Sequence, residues 1–329
     1  MTIEAPSIGG IELSFDPKGS RVRQIVREII DEPTTLVPIL DQAHMAAEQT
    51  GATRRVVRAV TQTNKLEEAR GVAGESGWTV EAAIPLSELF EGYHFVYYGR
   101  NDPKRASHFQ VLENEAVLLE NARGRDRKPF LDYIREVSDA FTLERLQTPL
   151  SEEDHRRLIE MYTQSFSAYP FDIQSEIPAM VANPHTHVYA ARSREDGLLY
   201  AVAATEQVVV PLSDGRMFEM REMGDSAKMP GINGLNRPLK LMLVREAALQ
   251  GSIDLLFCET RAALVAVNRV NSAFMQWCGM LPKHTVISGP QDVDEVGLDG
   301  PENGRYGNMN VWGIQANQIN QIAQELSLR

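Results

Sequence analysis

Apolar and polar positions alternate along the chain with two different periods. Arg21 to Ile30 and Leu36 to Gln49 predict helices, the second closed by Gly51 as its stop. Arg54 to Thr61, with Val56, Val57 and Val60, predicts a strand, Leu66 to Ala73 a helix, Trp78 to Ile84 a strand ended by Pro85, and Tyr93 to Tyr98 another strand. After a charged, linker-like stretch from Ala122 to Phe130 comes a strand at Phe141 to Leu146. Ser151 then caps a helix over Glu153 to Phe166, whose first turn carries Glu152, Glu153 and Asp154 at the positive end of its dipole. Strands at His187 to Ala191 and Leu198 to Val210 flank a Glu195-Asp196-Gly197 hairpin turn.

The most informative stretch follows. A polar strand from Arg216 to Ala227 runs into a turn rich in Pro, Gly and Asn and then into a helix with apolar Leu239, Leu243, Ala247 and Ala248. Exposed N–H groups at such a junction, with the positive end of the helix dipole behind them, can hold an anion or polarise a carbonyl. A tight connection with no ligand is the plain alternative. Asp254 to Glu259 predicts a buried strand, Arg261 to Cys278 a helix stopped by Gly279, Met309 to Gly313 a strand, and Gln315 to Leu328 an amphipathic helix. The order strand, helix, Gly plus a large apolar residue, strand over 54–98 recurs over 254–287. That order predicts a weak internal duplication in which Gly77-Trp78 matches Gly279-Met280. Chance recurrence of αβ order predicts the same string.

Composition narrows the function classes. A chain of 329 residues is expected to form two folded units, 1–135 and 136–329. The net charge of −12 disfavours a general nucleic-acid binder, leaving a tRNA-borne donor only if a local basic patch serves it. The two cysteines, Cys258 and Cys278, have no metal-ligand spacing, so no metal site is expected. No apolar run approaches the roughly 20 residues needed to span a bilayer, and the stretch MTIEAPSIGG lacks the basic start and apolar core expected of a signal peptide. A soluble, cytoplasmic protein that could form a homo-oligomer is expected.

The segments Glu222 to Pro230, Arg261 to Met280 and Gly307 to Ile314, with Gly77 to Pro85 and Phe95 to Arg100 upstream, resemble the GNAT superfamily of acyl-CoA-dependent N-acyltransferases. Within it they are similar to the β-lysine N-acetyltransferase family. The resemblance implies an α/β protein. It would have a mixed central sheet flanked by helices, a C-terminal GNAT-type acyltransferase fold, and before it a smaller GNAT-like αβ unit that is a partial repeat. It implies acetyl-CoA or another acyl thioester as donor substrate, a small amine of amino-acid-like character as acceptor, and transfer of an acyl group between them. Two other readings stand beside it. One is a transferase using an acyl carrier protein or aminoacyl-tRNA, and the other a non-catalytic binding protein of the same fold.

On this reading Glu222 and Asp225 are the candidate bases, on opposite faces if their strand is regular. Lys228, Gly231, Asn233, Gly234 and Asn236 would hold the donor's phosphates, and Asn268 and Asn271 on the following helix its pantetheine arm. The superfamily's donor loop looks like Arg/Gln-x-x-Gly-x-Gly/Ala. Asn233-Gly234-Leu235-Asn236 lacks its basic first residue, so weak CoA binding is expected. Met275 stands where a tyrosine often protonates the departing thiolate, and Cys278 is the conceivable substitute. Tyr169, Phe171 and Asp172 in the aromatic loop, Asn310 on the last strand, and Arg100 as the holder of a carboxylate are the acceptor-pocket candidates.

Overall fold

A computed structural model describes residues 11–16, 20–87, 90–123, 128–165, 173–212, 214–286 and 306–327. Its first half runs β1 (Ile11–Asp16), β2 (Arg21–Ile30), α1 (Leu36–Thr50), β3 (Arg54–Gln62), α2 (Leu66–Glu75), β4 (Thr79–Pro85) and β5 (Tyr93–Asn101). Two helices, α3 (Phe109–Arg123) and α4 (Phe130–Ser138), lead to β6 (Phe141–Arg145), α5 (Glu152–Ser165), α6 (Ile173–Ala182), β7 (Thr186–Ser193) and β8 (Leu199–Pro211). The chain then forms β9 (Met217–Lys228), α7 (Asn236–Gln250), β10 (Leu255–Arg261), α8 (Val265–Ser272), β11 (Gln276–Val286), β12 (Tyr306–Gln315) and α9 (Ala316–Ser327).

All twelve strands join one mixed sheet in the order β1-β2-β3-β5-β4-β11-β12-β10-β9-β8-β7-β6. Around the β4–β11 junction the two halves repeat one connection pattern. In the first, β2 is parallel to β3, β3 antiparallel to β5 and β5 antiparallel to β4. In the second, β9 is parallel to β10, β10 antiparallel to β12 and β12 antiparallel to β11. Helices α1 and α2 occupy the crossovers of the first pattern and α7 and α8 those of the second.

The junction depends on Gly279. A Cβ there would lie 2.3 Å from the Glu81 carbonyl oxygen, so only glycine lets β11 approach β4 at Gly279↔Ala82. One face of the long sheet then closes on itself. Val56, Val60, Phe95 and Tyr97 of the first half share a core with Phe218, Met220, Phe257 and Val311 of the second. The other face of the second half is covered by α7 and α9, through Leu239, Leu243, Ile319 and Ile322. The expected boundary between two units is thus crossed by one sheet and one core.

Several predicted elements change. Arg21 to Ile30 is a strand, not a helix. Its five β-branched apolar residues suit helical spacing, but Val22, Val26 and Ile30 face α1 while Ile25 and Ile29 face the shared core. Being covered on both sides, the strand shows no simple alternation. The helix expected over Arg261 to Cys278 spans only Val265–Ser272, and Gly279 lies within β11, so it does not match Gly77, which sits in a turn at φ 74. The linker expected at Ala122 to Phe130 begins inside α3, where Ala122 is buried, and ends at α4, where the Phe130 N–H donates to Glu325 Oε1 at 2.7 Å. Among the described residues no helix is long and apolar enough to cross a membrane.

Candidate functional site

The two parallel pairs differ where it matters. In the first half β2 and β3 pair from Arg21↔Arg54 to Ile25↔Arg58 and, after an irregularity that shifts the register, pair again at Ile29↔Val60 and Ile30↔Thr61, near the end of β3. In the second, β9 and β10 pair only at Met220↔Leu255, Arg221↔Leu256 and Glu222↔Phe257, and then part. Beyond that point β9 continues to Lys228 and β10 to Arg261, leaving a wedge between two strand edges. A bulge marks its start. Gly224 and Asp225 stand together opposite Ala204, between the pairs Ala203↔Ser226 and Thr205↔Met223. The strand is therefore not regular between Glu222 and Asp225, and the expected opposite-face placement does not apply.

The turn after β9 closes one end of the wedge. Gly231 and Gly234 adopt φ 80 and φ 85, and a Cβ on either would meet nothing within 4 Å, so the loop backbone borders open space. Among the described residues the N–H groups of Gly231, Asn233, Gly234 and Leu235 have no hydrogen-bond acceptor, and they lead into the N-terminus of α7. These groups and the helix dipole together suit an anion. Lys228 does not point out of this loop. Its Nζ donates to Asn233 Oδ1 at 2.8 Å and to the Ile232 carbonyl, bracing the turn in a Lys228-x-x-Gly231-x-Asn233 spacing that the sequence reading passed over. Asn236 Oδ1 accepts from Ser226 Oγ at 3.3 Å, tying the helix start to β9. Arg237, also passed over, donates to the Arg269 carbonyl at 3.0 Å and lies over the Tyr133 ring.

On the helix side of the wedge two expected donor contacts are structural instead. Asn268 is buried, and its amide donates to the Arg261, Ala262 and Leu264 carbonyls. Its Oδ1 accepts from Thr260, Asn310 and Trp312, so its hydrogen-bonding capacity is already used. Asn310, also buried, completes that network by accepting from Trp277 Nε1 at 3.1 Å. Asn271, also buried, accepts from Lys240 Nζ at 2.9 Å and donates to Cys258 Sγ at 3.1 Å. Lys240 itself is 3% exposed and makes no ion pair among the described residues, an uncommon state for a buried ammonium. Burial raises the Cys258 thiol to about 11 and the Cys278 thiol to about 12. Cys278 lies on β11 rather than on a helix and donates to the Gln276 carbonyl, so it is no substitute acid.

The opposite face of the wedge is turned toward the first half. Glu222, with 30% of its side chain exposed, meets Arg58 of β3 at 3.5 Å, and Arg58 lies 5.9 Å from the centre of the Tyr97 ring. Burial works against the Arg58 cation, but Tyr97, Glu222 and Glu259 outweigh it and hold its pKa above the usual arginine range. Glu259 of β10 lies 3.1 Å from Nε2 of His284. Burial, with Arg21, Arg54, Arg23 and Arg105 nearby, pushes the His284 pKa well down, so the imidazole is neutral. Arg58, Glu259 and His284 escaped the sequence reading because they lie on three different strands, β3, β10 and β11, and only the folding of the sheet brings them together.

Arg100 does not join them. It donates to the Ser76 carbonyl at 3.0 Å, bracing the turn before β4. Tyr169, Phe171 and Asp172 lie outside the described residues, and for Asp225 only its place in β9 is described. A surface hollow lined by Thr148, Leu150, Ser151, Glu152, His155 and Pro178 sits at the start of α5 and contains none of the site residues.

No family model matches the chain, and no curated protein matches it. Among solved structures it is similar to Arabidopsis thaliana NAA60 in complex with acetyl-CoA, at 14% identity over 54% of this chain and 99% of that one, with a TM-score of 0.41. It is also similar to the ribosomal-protein-S18-alanine N-acetyltransferase from Escherichia coli, at 16% identity, 53% and 94% coverage and a TM-score of 0.37. A third is an N-acetyltransferase from Staphylococcus aureus Mu50, at 13% identity, 54% and 99% coverage and a TM-score of 0.38.

Proposed function

We propose that the protein is a GNAT-type N-acyltransferase. It would move an acyl group, acetyl by default, from a CoA thioester in the β9–β10 wedge to the amine of a small amino-acid-like acceptor between the halves. The observation that carries this reading is the parting of β9 and β10 after Glu222↔Phe257, with a glycine-bearing loop and a helix N-terminus at the opening. The equivalent strands β2 and β3 pair again after a shift in register, and the turn after β2 carries Asp31, Glu32 and Pro33, where charge and a missing N–H both disfavour phosphate. On this reading 1–135 and 136–329 are two copies of one fold, and the second alone keeps a donor site.

The chemistry follows from the two faces. Glu222 takes a proton from the acceptor ammonium, and the free amine attacks the thioester carbonyl. Backbone N–H groups freed on β9 past the pairing stabilise the oxygen as charge develops, and the intermediate gives up the second nitrogen proton to water and collapses to the amide as the carbon–sulfur bond breaks. The Lys240 ammonium beside Cys258 offers the departing thiolate a proton, in place of the phenol absent at Met275. Because Lys228 and Arg237 are turned to partners of their own, a donor recognised mainly through its pantetheine arm, such as a carrier-protein thioester, is the second reading. Mass spectrometry after incubation with acetyl-CoA and a panel of amino acids and diamines tests both. An acetylated amine supports the first, and transfer only from an acyl carrier protein supports the second. No acylated product from either donor refutes the proposal.

A further inference from the structure

The Glu222–Arg58 pair is unusual in its placement, since it spans the space between the halves rather than two neighbouring strands. Glu222 stands at the last β9–β10 pair, where the wedge opens. Its cross-strand neighbour on β8 is the exposed Glu206, so the carboxylate side of the pair can receive an ammonium. On the other side Arg58 has 9% of its side chain exposed, and among the described residues its Nε has no hydrogen-bond partner. Arg23, two positions along in the β2–β3 register, lies on the same face of the sheet and meets Asp16 at 4.0 Å.

We propose that Arg58 is the acceptor's carboxylate receptor and that the site selects amines carrying a free carboxylate, bound as zwitterions between Glu222 and Arg58. The reacting role of the amine rests on the acyltransfer reading above, whereas the selection rests on the ion pair alone. A zwitterion can enter a half-buried pair because it supplies an opposite charge to each member. A lone ammonium, as on a peptide N-terminus or a diamine, would draw Glu222 away and leave the buried Arg58 guanidinium with only the more distant Glu259, which is unfavourable. The first half thus contributes a specificity residue to a site whose chemistry lies in the second.

Calorimetric titration of the full chain with alanine, β-alanine and lysine, with their methyl esters and with putrescine, tests this. At least one free amino acid is expected to bind, its ester at least tenfold more weakly, with putrescine no better than the ester. Arg58→Met should abolish the preference, and Arg58→Lys should keep part of it. If Arg58→Met does not fold, as judged by its thermal unfolding, the wild-type comparison and Arg58→Lys decide. Equal binding of acid and ester, a preference that survives Arg58→Met, or no binding of any free amino acid overturns the proposal. Acetyl-CoA is titrated into the same samples separately. Amino acids that bind in an Arg58-dependent way to a protein that ignores acetyl-CoA and acyl carrier protein would remove the acyltransfer reading and leave this one standing.

Discussion

Glu222 touches both sides of the account, as the carboxylate nearest the opening of the wedge and as the partner of Arg58. If it deprotonates the acceptor, Glu222→Gln lowers turnover by about 10²–10⁴, the usual range for removing a general base. Steady-state kinetics at saturating donor would show this, and unchanged turnover would transfer the role elsewhere. His187 supports a different prediction. It is buried, and burial together with Arg221 and Arg145 lowers its pKa to about 4, against the opposing pull of Glu246. The unfolded chain takes up this proton as pH falls through about 6.5, whereas the folded protein does so only near 4. The stability this histidine contributes is therefore complete above pH 6.5 and is lost between 6.5 and 4. Unfolding midpoints measured across that range should fall with pH, and His187→Gln should flatten the slope by at most about 1.4 kcal/mol per pH unit. An unchanged slope would assign the effect to other groups such as His284, which acts in the same direction.

Among the elements, those with one buried face were legible. The helix closed by Gly51 and the hairpin around Glu195-Asp196-Gly197 stand where composition placed them, because their turn residues and one-sided patterns have local causes. The strand β2 and the span from α8 to β11 were not, because their residues answer to distant partners. Both faces of β2 are covered, and Gly279 serves contact with β4 rather than ending a helix. The strand, turn and helix that carry Glu222 and the 231–235 loop were legible from their order, whereas Arg58 and Glu259 carry no local signal. Sequence shows the amides of Asn268, Asn271 and Asn310 but not the internal hydrogen bonds that hold them, which for Asn268 use its whole capacity. Gly279→Ala tests the account at this scale. With its Cβ 2.3 Å from a backbone oxygen the strands must shift, so a loss of about 3 kcal/mol is expected by denaturant unfolding. Gly71→Ala, in α2 with nothing within 4 Å, should instead be neutral or stabilising by up to about 1 kcal/mol. Similar small effects for both would mean that the junction does not depend on this glycine.

At the scale of the molecule, a repeated connection pattern has been put to two uses. The second copy parts its central parallel strands after Glu222↔Phe257, whereas the first pairs them again beyond a shift in register and presents Arg58 across the shared core. One sheet of twelve strands holds the two in fixed register through Gly279↔Ala82. Separating them would expose Phe95, Tyr97, Phe218 and Phe257 to water. The central claim is that this asymmetry creates one donor site, between β9 and β10. A crystal structure of the full chain with acetyl-CoA tests it most directly. The account predicts the pantetheine arm between β9 and β10 beyond Glu222↔Phe257, the pyrophosphate on the 231–235 loop, and the acetyl carbonyl facing Glu222. Acetyl-CoA bound at β2–β3, or on a surface away from the wedge, would contradict it.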